Sequence, residues 1–317
     1  MRPGDEAEVL ALLQASLGWE AADRYTAFHR WKHEQNPFGR SAAWVAVDGD
    51  RIAGYRAFLR WEWLRRGEPM RAVRAVDTAT HPDYQGRGIF SQLTTHGLGV
   101  LREDDVAFVF NTPNDQSRPG YLKMGWQTLG RIPITFAPRS RAALPRVARA
   151  RVPAAKWSMP SEAGTVALEA LADDARVGAV LAASSIADDR LRTRLSPAYL
   201  RWRFGFPDLA YRVLDLGSLE AGAVVFRLRS RGAAVEAVIA QLLVPPADRG
   251  ATAALVRRVT AATGADYAVM VGGTNGIRPL RARLPGQGPI MTWRALGMTE
   301  MPPLATWDLT MGDIELF

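Results

Sequence analysis

The chain has 317 residues, 48% of them hydrophobic and 23% charged, which is enough for two domains with a core each. It contains no cysteine, so disulfides, thiolate metal sites and a cysteine acyl intermediate are excluded. The formal charge of +8 is almost wholly arginine, with lysine only at Lys32, Lys123 and Lys156, and the arginines are scattered apart from a cluster between Arg139 and Lys156. Scattered charge of this kind reads first as solvated surface and linker, and a basic surface also suits an anionic cofactor or acidic substrate; a nucleic-acid partner is not expected.

The chain opens on Met1-Arg-Pro-Gly-Asp-Glu-Ala-Glu, without an apolar signal core, and nowhere carries an apolar run of about 18 residues, so a cytoplasmic protein with no membrane partner is expected. Helices are predicted for Glu6 to Leu17, with Val9, Leu10, Leu13 and Leu17 on one stripe, and for Ala21 to His33, stopped by Asn36-Pro37-Phe38-Gly39. Two strands, Ala43–Val47 and Arg51–Leu64, flank an Asp-Gly turn and read as a hairpin. A strand from Met70 to Thr80 then runs into Pro82-Asp-Tyr-Gln-Gly-Arg-Gly88, which opens a helix reaching Arg102 with Ile89, Leu93, Gly97 and Val100 on one side. A glycine turn between strand and helix presents backbone N–H groups and the positive helix end to a phosphate-bearing ligand.

Val106–Asn111 is apolar throughout, as inside a sheet covered on both faces. A short helix after Pro119-Gly120 ends at Gly125, and one strand is expected from Trp126 to Phe136. Pro138 to Pro160, rich in Arg, Ala and Pro, reads as a linker. The second half repeats the first in outline. Phe28–Pro37 is echoed by Tyr199–Pro207, and the strand, turn and helix from Ile239 to Thr263 parallel Val76–Arg102. The turn from Pro246 to Leu255 is two residues shorter than that from Pro82 to Leu93 and lacks Gly-x-Gly, so one working phosphate cradle is expected in a duplicated fold.

Gln85-Gly86-Arg87-Gly88-Ile89-Phe90 resembles motif A of the GNAT superfamily of acyl-CoA-dependent N-acyltransferases, Gln/Arg-x-x-Gly-x-Gly/Ala at a helix start. Gln85 and Gly88 match; Phe90 departs, standing where the family has a small residue. Asn114-x-x-Ser117-x-x-x-Tyr121-x-x-x-Gly125-Trp126 resembles a second family segment, with Pro119-Gly120 as the departure. The likeness covers residues 1–137 and reaches the rest only as a degenerate repeat; tandem architectures also occur in mycothiol synthase and Eis-like acetyltransferases.

The resemblance implies an α/β protein of two GNAT-like lobes, each a mixed, mostly antiparallel central sheet flanked by helices. The domains would be 1–137 for acyl-CoA, a linker 138–160, and a degenerate lobe 161–317. It implies acetyl-CoA or another short acyl-CoA as co-substrate, a small-molecule amine as acceptor, and no metal; a homodimer stays open. Thr78, Thr80, Gln85, Gly86, Arg87, Gly88, Ile89, Phe90, Asn114 and Ser117 would bind the donor, and Tyr121 would face its sulfur.

Full proton transfer from a phenol (pKa about 10) to a thiolate (about 8.5) is uphill by roughly 2 kcal/mol, so Tyr121 is a hydrogen-bond donor that completes protonation late. An ammonium of pKa about 10.4 costs about 4.6 kcal/mol to deprotonate at pH 7, and Asp77, His81 and Asp313 are the candidate bases, with the terminal carboxylate of Phe317 a further one. His29 and His33, four apart on a helix, read as core or surface groups and not as metal ligands. Trp31, Phe38, Trp61 and Trp63 are core or acceptor-pocket residues. Two rivals remain at this point: a Fem-like aminoacyl transferase using charged tRNA, and a non-catalytic acyl-CoA sensor.

Overall fold

The computed structural model describes residues 2–315 except 21, 151, 187, 246, 247, 249 and 273–287. In chain order the elements are α1 (Glu6–Leu17), α2 (Asp23–Glu34), β1 (Ala42–Asp48), β2 (Arg51–Arg65), β3 (Glu68–Thr80), α3 (Ile89–Glu103), β4 (Phe108–Asn111), α4 (Arg118–Lys123), β5 (Gln127–Arg131) and β6 (Ile134–Pro138). They continue as α5 (Leu144–Arg149), β7 (Thr165–Val166), α6 (Ala167–Ala170), α7 (Asp174–Ala183), β8 (Arg192–Thr193), α8 (Pro197–Phe204), β9 (Arg212–Asp215), β10 (Ala223–Arg231) and β11 (Ala234–Leu243). Last come α9 (Ala251–Thr263), β12 (Tyr267–Val271), β13 (Ile290–Ala295) and α10 (Met311–Ile314). Among the described residues no helix is long and apolar enough to cross a membrane.

The chain forms two compact units, residues 1–130 with 289–307, and residues 131–288 with 308–317. The sheet of the first runs β1-β2-β3-β4-β13-β5. β1, β2 and β3 form an antiparallel meander, α3 crosses over, and β4 lies parallel to β3. β13 then pairs antiparallel with β4. The sheet of the second unit runs β6-β12-β11-β10-β9-β7 with the same logic: an antiparallel meander β9-β10-β11, the crossover α9, β12 parallel to β11, and β6 antiparallel to β12. Each sheet is mixed, mostly antiparallel, and flanked by helices, as the repeated pattern implies.

The expected boundary at residue 137 falls inside β6. The single strand expected from Trp126 to Phe136 is two strands, because Pro133 has no N–H to continue a ladder and the chain leaves one sheet for the other there. Each sheet therefore gains a strand from the other half of the sequence: β13 for the first, β6 for the second. Residues 138–160, read as a linker, fold with the second unit, where α5 carries Pro145 in its first turn, Ala155 N–H bonds the Ser230 carbonyl and Met159 bridges Leu228.

The first unit's core lies between its sheet and α3, where Phe58, Val73, Leu98, Leu101, Val109, Tyr121 and Trp126 are buried together. α3 presents Leu93, Thr94, Gly97 and Leu98 to the sheet, while Val100, expected on that side, is exposed. Gly97 permits the close approach: a Cβ there would lie 2.8 Å from the Trp44 ring. Trp61 and Trp63 are fully buried, with Trp63 edge-on to Phe110 and Trp307, so they are core rather than pocket lining.

Candidate active site

The turn after β3 has the geometry its glycines demand. Gly86 (φ 78°) and Gly88 (φ 77°) both adopt the left-handed conformation, and Gly88 caps α3. From Gly86 to Ser91 no backbone N–H finds an acceptor among the described residues; the first that does is Gln92, bonding the Gly88 carbonyl at 3.0 Å. A Cβ at Gly86 would meet nothing within 4 Å, so the turn is open to solvent. Six consecutive amides at the positive end of a fifteen-residue helix make an anion cradle. Arg87 and Arg51 flank it, their guanidinium carbons 4.7 and 5.7 Å from the Tyr84 ring centre.

The corresponding place in the second unit is closed by its own side chain. Asp248 Oδ1 accepts from the N–H groups of Gly250 and Ala251 at 2.9 Å each, ahead of α9. Pro246 lies outside the described residues.

Two departures from the motif pattern turn out to be one packing arrangement. The ring of Phe90 lies edge-on to Tyr121, 5.3 Å between centroids, and over Gly120, where a Cβ would come within 2.9 Å of the ring. A large residue at 90 is thus matched by the absence of one at 120. Asn114 and Ser117 close the turn that leads into α4: Asn114 Oδ1 accepts from the Ser117 N–H at 2.9 Å and from its hydroxyl at 2.8 Å.

Tyr121 is buried, and its hydroxyl oxygen accepts a hydrogen bond from Arg56 Nη1 at 2.8 Å. Arg56, on β2, was not singled out by the sequence reading. It is fully buried, also donates to Thr78 Oγ1, and stacks on Phe58 with 4.3 Å from guanidinium carbon to ring centre. Its Nε and Nη2 have no hydrogen-bond partner, and no carboxylate pairs with it among the described residues. The signal was present: Ile52-Ala-Gly-Tyr-Arg56-Ala-Phe-Leu is otherwise apolar, and Arg56 shares the inward face with Phe58.

The register along β2 and β3 shifts between Arg56, opposite Thr78, and Ala57, opposite Val76. Asp77 is the extra residue of this bulge, at φ 40°. Its side chain turns to α2, where Lys32 Nζ and His33 Nε2 each approach Oδ2 to 2.8 Å. Burial alone would raise its pKa, but the charge of Lys32 and the bond from His33 outweigh it and hold the carboxyl well below the usual range. A carboxylate so engaged is a weak base.

His33 also bonds Ser41, and burial lowers its pKa against the pull of Asp77. His29 stands 4.6 Å from His33, and burial, then the charge of His33, lower its pKa to about 4. Both histidines are core groups. Among the described residues no group of three or more His, Asp or Glu is placed to hold a metal ion.

His81 shapes the turn: its Nδ1 accepts from the Asp83 N–H at 3.2 Å, and Nε2 lies 2.6 Å from Arg51 Nη2. Thr80 pairs with Gly54, and its carbonyl accepts from Ser16. Asp313 belongs to the second unit, where Thr193 and Thr310 bond its carboxylate and it caps α10, while burial raises its pKa. Phe317 lies outside the described residues.

The family model of the acetyltransferase (GNAT) domain matches residues 1–129. No curated protein matches the sequence. Among solved structures, a conserved protein of unknown function and probable N-acyltransferase from Enterococcus faecalis V583 is similar over 94% of this chain and 72% of its own, with 12% identity and a TM-score of 0.68. A GCN5-related N-acetyltransferase from Kribbella flavida matches over 94% and 71%, with 16% identity and a TM-score of 0.62. Eis1 from Mycobacterium abscessus matches over 94% and 73%, with 16% identity and a TM-score of 0.56. At these identities the likeness is one of fold, and it extends across both units of the chain.

Proposed function

We propose that this GNAT protein is an N-acetyltransferase that moves an acetyl or other short acyl group from acyl-CoA to a primary amine of a small molecule. The observation that carries the reading is the row of unpaired amides from Gly86 to Ser91, close in sequence to a buried tyrosine whose hydroxyl oxygen is already bonded. The amides fit a diphosphate, and Arg51 and Arg87 add positive charge beside them. The amine nitrogen attacks the thioester carbon directly, the C–S bond breaks, and the electron pair leaves on sulfur. Tyr121 donates to that sulfur, and the proton lost by the nitrogen replaces the one passed to the thiol. The second unit, with its helix start closed by Asp248, is the degenerate partner of a tandem pair.

Asp77 and His81, expected as bases, are both engaged in structure. With these candidates engaged among the described residues, the acceptor enters as the free amine in this reading, and kcat/KM rises with pH up to the acceptor's own pKa. Acetyl-CoA at a hundredfold excess over Kd should stabilise the protein by about 2.7 kcal/mol, read as a rise in Tm. Tyr121→Phe should keep that rise while cutting kcat by roughly 10²–10⁴. Absence of any rise with any acyl-CoA would overturn the reading.

A further inference from the structure

A buried guanidinium without a counter-anion is costly, and this one has not one partner carboxylate but an aromatic shelf. Phe58, Tyr121 and Phe90 surround Arg56, with ring centres 4.3, 5.4 and 5.9 Å from its guanidinium carbon. Elsewhere in the same chain the Nε and Nη2 edge of an arginine grips a carboxylate with two parallel bonds, Arg30 on Glu6 and Arg176 on Glu220. On Arg56 that edge is buried and empty. The remaining nitrogen is spent on Tyr121 and Thr78.

One hydrogen bond has a directional consequence. Because Arg56 Nη1 donates to the Tyr121 oxygen, the phenolic proton cannot point back at Arg56. It is directed to a different acceptor. No other hydrogen bond of that hydroxyl occurs among the described residues. A tyrosine fixed as donor, backed by an uncompensated positive charge in a water-poor site, suits a negative charge that appears only during reaction.

We propose that Arg56 is a positioning residue. It holds Tyr121 as hydrogen-bond donor to the sulfur of acyl-CoA and supplies the positive charge against which the departing thiolate forms. The inference rests on the acyl-CoA reading above and adds a residue to it. As the C–S bond breaks, sulfur takes the electron pair; Tyr121 donates its O–H to that sulfur, and Arg56 keeps its proton throughout.

The test uses the full chain, free CoA and desulfo-CoA, which lacks the thiol. In the parent protein the bound CoA thiol, followed by its thiolate absorbance, should ionise below the free value of about 8.5, by roughly one to three units. In Arg56→Gln it should return to the free value, and Arg56→Lys should fall between. Desulfo-CoA should bind parent and Arg56→Gln alike, which also reports that the variant is folded. Turnover with acetyl-CoA should drop about 10²-fold in Arg56→Gln. If bound CoA ionises identically in parent and Arg56→Gln while desulfo-CoA still binds, the proposal is overturned and the acyl-CoA reading stands. If neither CoA nor desulfo-CoA binds the parent, the acyl-CoA reading itself fails. A loss in Arg56→Gln confined to acyl donors or acceptors that carry a carboxylate also overturns the proposal, because the empty edge would then be a carboxylate site.

Discussion

The start of α3 can be displaced by one methyl group at Gly54, on the strand beneath it. A Cβ at Gly54 would lie 2.4 Å from Ile89 Cγ2, 3.2 Å from Leu93 Cδ1 and 3.5 Å from Ala46 Cβ. Carbon atoms at rest sit about 3.5–4.0 Å apart, so the first contact is short by more than an ångström. Ile89 cannot absorb this by rotating, since a β-branched side chain in a helix has essentially one χ1 well. Either the helix start moves off the sheet or the side chain leaves its rotamer. Overpacking of this kind costs about 1–3 kcal/mol, and Gly→Ala at an extended position gives back about 0.4–1 kcal/mol through the unfolded chain. Gly54→Ala should therefore lose about 1–2 kcal/mol in urea denaturation.

The second consequence is specific to function. Ile89 is the first residue of α3 and lies within the open amide row, so moving it misaligns the cradle. Gly54→Ala should lower the Tm rise given by acetyl-CoA, and Gly54→Ala combined with Ile89→Ala should restore it. Unchanged stability with an unchanged ligand-induced rise would refute this account of how the sheet seats the turn. So would a double variant no better than the single one.

Gly120→Ala should lower stability although alanine is the better helix former by about 1 kcal/mol, because its methyl meets Phe90. In a Phe90→Ala background the same change should be neutral or stabilising, a sign change that denaturant midpoints would reveal. Asp77→Asn strands the buried Lys32 and should cost about 3–5 kcal/mol, with Lys32→Met in the same chain recovering much of it in urea titrations. For His29 the folded value, about 4, lies below the unfolded one of about 6.5. The unfolded chain then binds the extra proton first, so the stability from a neutral buried imidazole is complete above pH 6.5. It is lost as pH falls toward 4, on the order of 3 kcal/mol. His29→Gln should flatten that decline in denaturant midpoints between pH 7 and 4; a slope equal to the parent's would show that other groups carry it.

Much of the first unit was legible because its signals are local. Helical stripes placed α1 and α3 within a few residues, the Asp-Gly turn placed the β1–β2 hairpin, and the glycines announced the cradle. The second unit's meander, crossover and parallel strand followed from its likeness to the first. The exchange of β13 and β6 between sheets was not legible, since a strand's pattern records which faces are buried and not which neighbour it pairs with. Phe90 and Pro119-Gly120 looked like two unrelated departures because their complementarity exists only in space. Asp77 looked like a base because a carboxylate before a ligand turn has that appearance in sequence; its Lys32 and His33 partners are on α2, more than forty residues earlier.

The bulge at Asp77 connects these findings. Residues directly opposite across an antiparallel pair point to the same face. With Ala57 opposite Val76, a regular ladder would set Arg56 opposite Asp77, and the two charges would neutralise each other beside Tyr121. The inserted residue moves Thr78 into that position instead and sends the Asp77 carboxylate to the other face, where Lys32 and His33 take it. A non-glycine residue at φ 40° is held against a backbone preference of about 1–2 kcal/mol, and the buried pairing with Lys32 opposes its relaxation. One irregularity in one ladder thus separates a carboxylate from an arginine that sequence proximity would have joined. It leaves the guanidinium to the tyrosine hydroxyl, and to whatever negative charge the tyrosine meets.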